Sequence, residues 1–256
     1  MNILLISGHG AGDPGAVGND KREADETRKV TAELQYILSQ YCNVALYPTD
    51  RNAYQDYRSG TLASVAQFAK YDYVLEVHFN ALSASTVDGK TKGVEIYVPV
   101  SETNTTVEQS IVNSVSKCGL TNRGVKKYNW AVISKSKQSG TKAALLEVCF
   151  IDDADDMRVY TQKFSQITQA IANAIIAGFS LKKEETMTYD TFKEYLDQYL
   201  AELAAKKPSA WSAEQRAWAE SAGIIQGDDK GNMKYKSNVT REELVTMLYR
   251  MFNILK

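Results

Sequence analysis

From Asn2 to about Ser180, short apolar runs alternate with stretches in which apolar residues recur every three or four positions. That alternation predicts an α/β domain with a largely parallel sheet and helices on both faces. Strands are expected over residues 3–7, 43–47, 73–79, 93–98, 131–134 and 143–150, and helices near 22–41, 54–70, 105–118 and 155–179. In the first helix Val30, Leu34, Ile37, Leu38 and Tyr41 fall on one stripe, which continues backwards through Thr27 to Glu23. A carboxylate is thus predicted on the core-facing side of the first turn, where a purely structural design prefers an apolar residue.

The pattern changes after the charged run Lys182-Lys183-Glu184-Glu185-Thr186, which reads as a linker. Phe192, Tyr195, Leu196, Tyr199 and Leu203 outline one amphipathic helix, ended by Lys206-Lys207-Pro208. A capping box at Ser212-x-x-Gln215 opens a second, which Gly223 stops, and Thr240-x-x-Glu243 opens a third. The expected division is a domain over 1–180, a linker over 181–187 and a small, mainly helical C-terminal domain over 188–256.

Composition narrows the possibilities. Thirty Lys and Arg against 31 Asp and Glu leave no positive surplus for phosphate neutralisation, so nucleic acid is not an expected partner. No apolar run approaches the ~20 residues of a bilayer span, which argues against membrane insertion. The start, Met1-Asn2-Ile3-Leu4-Leu5-Ile6-Ser7, lacks the features of a secretory leader, and synthesis in the cytoplasm without a signal peptide is expected. Cys42, Cys118 and Cys149 are widely spaced with no CxxC pair, so they are expected to be reduced.

The first strand runs into Gly8-His9-Gly10-Ala11-Gly12-Asp13-Pro14-Gly15-Ala16-Val17-Gly18. Gly10-x-Gly12-x-x-Gly15 matches the dinucleotide fingerprint, but Pro14 supplies no N–H and the helix starts only near Arg22, so phosphate binding is rejected. A metal accounts for more residues. Ligands of such sheets gather beyond the carboxyl ends of the strands, where His9, Glu23, His78 and Glu147 all fall. Two imidazoles and a carboxylate form the ligand set of a hydrolytic zinc ion, and a further glutamate is the proton acceptor that such a site needs. Glu147 lies in the apolar run Ala143-Ala144-Leu145-Leu146-Glu147-Val148-Cys149-Phe150, where an unpaired carboxylate is costly. Glu76, two residues before His78, shares its face. Two roles fit it: an acceptor that orients His78, or the base itself.

These residues resemble the zinc-dependent N-acetylmuramoyl-L-alanine amidases of the amidase type 3 family, over roughly residues 2–180. Three blocks carry the resemblance: Gly8-His9-Gly10 with Asp13-Pro14-Gly15-Ala16 and Glu23; Val77-His78-Phe79-Asn80-Ala81; and Leu145-Leu146-Glu147-Val148 with Phe150-Ile151. The resemblance implies one zinc ion on His9, Glu23 and His78, Glu147 as base, and as substrate the peptidoglycan amide between N-acetylmuramic acid and L-alanine. It also puts Lys92-Gly93-Val94-Glu95 and Arg123-Gly124-Val125-Lys126 near the groove, with Asn80 shaping the site; Asn80, Arg123 and, from its own position beside His78, Glu76 are the candidate substrate-facing or supporting residues. This chain departs from many relatives in having Glu76 where they have serine and Cys149 where they have glycine. The C-terminal region, from Trp218 through Gly227-Asp228 to Val239-Thr240-Arg241-Glu242-Glu243-Leu244, resembles a single S-layer-homology repeat, which implies binding to a cell-wall polymer, with self-association as a further expectation. By analogy, a phage lysin that acts on the wall after release is expected, with a host enzyme for autolysis or sporulation, exported by another route, as the alternative. The competing functions are another zinc peptidase or deacetylase, and an inactive wall-binding protein.

Overall fold

The computed structural model describes residues 1–82, 87–183 and 187–256. The chain divides into two compact units, Met1–Glu184 and Glu185–Lys256. Of the linker expected over 181–187, residues 184–186 lie outside the described residues.

The first unit begins with β1 (Asn2–Ser7), a two-residue hairpin of β2 (Val17–Gly18) and β3 (Lys21–Arg22), and α1 (Glu23–Leu38). It continues through β4 (Asn43–Leu46), α2 (Ala53–Ser59), α3 (Leu62–Ala66), β5 (Tyr73–Asn80), β6 (Val94–Val98), α4 (Thr106–Ser116) and β7 (Asn122–Lys127). It closes with α5 (Ala131–Gln138), β8 (Lys142–Phe150), α6 (Ala154–Gln162) and α7 (Phe164–Gly178). Six strands form one sheet in the order β4-β1-β5-β8-β6-β7. Every neighbouring pair is parallel except β6 with β8.

Side chains alternate between the two faces of this sheet, and each face finds an apolar cover. On one face Ile3, Leu5, Leu75, Val77 and Leu146 pack with Val30 and Leu34 of α1, Ile111 of α4 and Ile171 of α7. On the other, Leu4, Ile6, Val74 and Leu145 pack with Ala53, Leu62 and Phe68, and with Val132 and Ile133 of α5. Toward the C-terminal ends of β5 and β8 this second face turns polar, carrying Glu76, His78, Asn80 and Glu147.

Three expectations need correction. The Ala-Val-Ile-Ser run at 131–134 is not a strand but the start of α5, whose buried residues Val132, Ile133 and Ser136 follow helical spacing; four apolar positions do not separate the two periods. The missed strand is β7, Asn-Arg-Gly-Val-Lys-Lys, a charged edge strand with little apolar signal. Nor are the stretches 54–70 and 155–179 single helices: Gly60 ends α2 in a left-handed conformation, Gln67 does the same after α3, and Lys163 separates α6 from α7.

The second unit contains α8 (Tyr189–Ala205), α9 (Ala213–Ser221) and α10 (Arg241–Ile254). Thr240 and Glu243 form the expected capping box. Ser212 does not cap α9; its hydroxyl donates to the Ser209 carbonyl and accepts from Arg216. Among the described residues no helix is long and apolar enough to cross a membrane.

Candidate metal centre and its groove

The site is built where β1, β5 and β8 end. His9 follows β1 with a positive φ of 61°, and the loop beyond it doubles back through reciprocal backbone hydrogen bonds between Gly10 and Asp13. Gly8 and Gly10 answer steric requirements. A Cβ on Gly8 would meet the His78 ring at 2.4 Å, and one on Gly10 would meet the Arg28 guanidinium at 1.9 Å. Arg28, in turn, donates to the carbonyls of Gly8, His9, Ala24, Thr49 and Arg51, tying the loop to the segment before α2.

Glu23 opens α1 and is only 3% exposed. Its Oε1 accepts from the Phe79 amide at 3.0 Å and lies 2.9 Å from His78 Nδ1; its Oε2 accepts from the Ala16 amide at 2.9 Å and lies 3.1 Å from His9 Nε2. The two imidazoles meet edge to face, with centroids 4.9 Å apart. One donor atom from each of His9, Glu23 and His78 falls within 4.8 Å of the others. The set, two imidazole nitrogens and one carboxylate oxygen, is a donor chemistry that suits a zinc ion.

Electrostatics reflect this crowding. Burial would raise the Glu23 carboxyl, but its hydrogen bonds with His78 and His9 outweigh burial and hold it well below the usual carboxylate range. Burial would likewise depress His78, yet Glu23 and Glu76 hold it well above its ordinary value. Glu147 goes the other way. Desolvation pushes its carboxyl up to about 7, against the attraction of His78 and with the repulsion of Glu23, Glu95 and Glu76. Its Oε2 is buried and has no hydrogen-bond partner. Leaving a carboxylate oxygen orphaned costs about 1–3 kcal/mol or more.

Glu76 Oε1 stands 3.3 Å from His78 Nε2, Glu76 is 4% exposed, and its Oε2, like that of Glu147, is buried without a hydrogen-bond partner among the described residues. Asn80 lines the same groove, donating to Glu95 and accepting from the Ala81 amide. Arg123 is placed differently: its Nε binds Glu95 Oε2 and its guanidinium lies 4.9 Å from the Phe150 ring, outside the residues that line the groove. Glu95, 1% exposed, pairs across the sheet with Glu147 and takes further hydrogen bonds from Lys126 and Tyr97.

Residue-type reasoning missed several contributors. Asp13 Oδ2 lies 2.8 Å from His9 Nδ1 and accepts from Asn52, which also caps α2 through the Tyr54 and Gln55 amides. An acceptor on the far nitrogen fixes ring orientation. An Asn just ahead of a helix was a readable signal; its pairing with a loop 39 residues earlier was not. The groove, ≈ 630 Å³, has the metal-type cluster and Glu147 on its floor, and Tyr54, Tyr57, Tyr128 and Trp130 on its rim.

The site thus consists of two histidines and a carboxylate gathered at the C-terminal edge of a largely parallel α/β sheet. The description "N-acetylmuramoyl-L-alanine amidase" of the amidase type 3 family matches residues 3–177. The chain is 30% identical over 189 residues to the sporulation-specific N-acetylmuramoyl-L-alanine amidase of Bacillus subtilis, covering 72% of this chain and 70% of that protein. It is 28% identical over 190 residues to the endolysin of Bacillus phage SPP1, covering 71% and 67% respectively. The solved catalytic domain of CwlV, an N-acetylmuramoyl-L-alanine amidase from Bacillus (Paenibacillus) polymyxa, superposes with a TM-score of 0.54 at 25% identity, over 71% of this chain and 99% of that one. The chain belongs to this amidase family, whose members are peptidoglycan hydrolases.

Proposed function

We propose that the first unit is a zinc-dependent amidase that cleaves the bond between the lactyl group of N-acetylmuramic acid and the L-alanine of the stem peptide. The observation that carries this reading is the meeting of His9, Glu23 and His78 beside the unpartnered oxygen of Glu147, on the floor of one groove. His9, Glu23 and His78 would hold the ion, which supplies Lewis acidity toward the scissile carbonyl and acidifies water. Glu147 takes the proton of the attacking water and passes it to the departing alanine nitrogen, a task suited to a carboxyl whose pKa stands near 7. Asp13 and Glu76 hold the two imidazoles in orientation, and Asn80 shapes the groove beside them. Arg123 acts at one remove, through Glu95.

Digestion of purified peptidoglycan with and without a chelator tests this. New N-terminal alanine, no new reducing sugar ends, and loss of both cleavage and bound divalent ion on chelation are the expected results. New reducing ends, or a free amine on the sugar, would instead indicate a glycosidase or a deacetylase.

The similarity to a phage endolysin supports use as a lysin that acts on the wall after release from the cytoplasm. Addition of the protein from outside to cells with exposed peptidoglycan should lyse them. The C-terminal unit, residues 188–256, is assigned to cell-wall attachment on its S-layer-homology resemblance; unchanged wall binding after removal of the segment beyond Lys183 would overturn that assignment.

A further inference from the structure

The second unit holds an apolar surface that its own fold leaves uncovered. Neither α8 nor α10 buries a single residue. Among the described residues of the unit only Ala219 and Ile224 are buried hydrophobics. Yet both helices carry apolar side chains at helical spacing: Phe192, Tyr195, Leu196, Tyr199 and Leu200 on α8, and Leu244, Leu248, Met251, Phe252 and Leu255 on or just after α10. A helical unit of this size needs a core, and a repeat-like unit with open apolar faces normally gains it by stacking on another.

We propose that the missing cover is a second copy of this chain, with α8 of one copy lying against α10 of the next. Charge favours this pairing. Residues 187–256 carry ten Lys and Arg and ten Asp and Glu, so no net repulsion separates the copies. Within that balance the helices differ: α8 bears Asp190, Glu194, Asp197 and Glu202 against one Lys193, whereas α10 and its tail bear Arg241, Arg250 and Lys256 against Glu242 and Glu243, both in the first turn. Two α8 helices side by side would set acid against acid; α8 against α10 sets acid against base.

Area supports a closed assembly. With an aromatic side chain able to bury ~150–250 Å² and these stripes roughly half exposed, one α8–α10 joint removes on the order of 1,000 Å² from water. That is near the lower limit for a specific interface. Each copy has one α8 and one α10, so closure into a ring makes as many joints as there are copies and avoids an open filament.

Sedimentation velocity of the full chain between about 1 and 100 µM tests the proposal. The expected mass is at least twice 28.5 kDa. Tyr199→Glu on α8 and Leu248→Glu on α10 should each reduce the mass at least twofold, to that of one chain, with an unchanged thermal transition of the first unit as the control for folding. Mixed in equal amounts, the two variants should regain a two-chain species, because the intact α10 of one meets the intact α8 of the other. A wild-type monomer at every concentration would overturn the proposal, as would a variant that still associates alone or a mixture that stays monomeric. None of these readouts depends on what the first unit hydrolyses.

Discussion

Helices α1 and α8 are written in the same three-and-four spacing and end in opposite circumstances. Val30, Leu34 and Leu38 of α1 are fully buried against a sheet that is apolar on both faces. Phe192, Tyr195 and Tyr199 of α8 stand more than half exposed. Periodicity settles which side of a helix is apolar; whether anything waits to receive that side is decided elsewhere in the chain. In the first unit the strands supply the receiving surface, and among the described residues of the second unit there is no strand to supply one.

The sharpest way to press this contrast is through catalysis, which the reading above confines to the first unit. Glu147→Gln should lower turnover by roughly 10²–10⁴-fold, leaving bound metal and the thermal midpoint near wild type. Leu196→Ala on α8 should leave hydrolysis of a soluble muramyl peptide within about twofold. Turnover and metal content measured on both variants decide the matter, and a Glu147→Gln protein with near-normal turnover would remove that residue from its role.

Stability gives the next largest difference. Leu34→Ala removes a fully buried side chain and should cost about 2–5 kcal/mol. The chemically identical change Leu196→Ala, measured in dilute solution, should stay within about 0.5 kcal/mol. Denaturant titration of the two variants compares them directly; equal losses would mean that α8 has an intrachain core after all.

A smaller effect concerns acid. Asp56 accepts from Arg51, Tyr47 and Thr61, and the Arg51 contacts, more than the opposing burial, hold its carboxyl below the usual value. A carboxylate lowered in the folded state stabilises above the unfolded pKa, ~3.9, and that contribution is lost as pH falls through the folded value. The contribution of Asp56, read as the thermal midpoint of wild type minus that of Asp56→Asn, should thus hold steady from pH 7 to about 5 and shrink below about 4. Asp56→Asn should thereby flatten the acid drop of the thermal midpoint, by on the order of 1 kcal/mol or about 2–4 °C. An unchanged acid slope would show that other carboxylates govern it.

What could be read from the sequence divides along the same physical line. The strands carrying His78 and Glu147 were legible because buried strands are continuous apolar runs, and a charged residue inside one stands out. Glu23 was legible because it broke an otherwise apolar stripe. By contrast β7 and α5 were misread: one is a polar edge strand, the other too short for its period to declare itself. Asn52 and Glu95 could be placed only by knowing which loops and strands become neighbours, since their partners lie far away in sequence or across the sheet, whereas Asp13 meets His9 only four residues away, through a turn that periodicity does not reveal.

Arg28 has a practical corollary for engineering. A single guanidinium gathers carbonyl oxygens from the glycine-rich turn and from residues 49 and 51, leaving no room at position 10 for any side chain. The two loops are therefore one module: a graft of the histidine-bearing turn into another scaffold, or a swap between homologues, must carry the arginine and the 49–51 stretch with it, or the transplanted ligand will lose its pose.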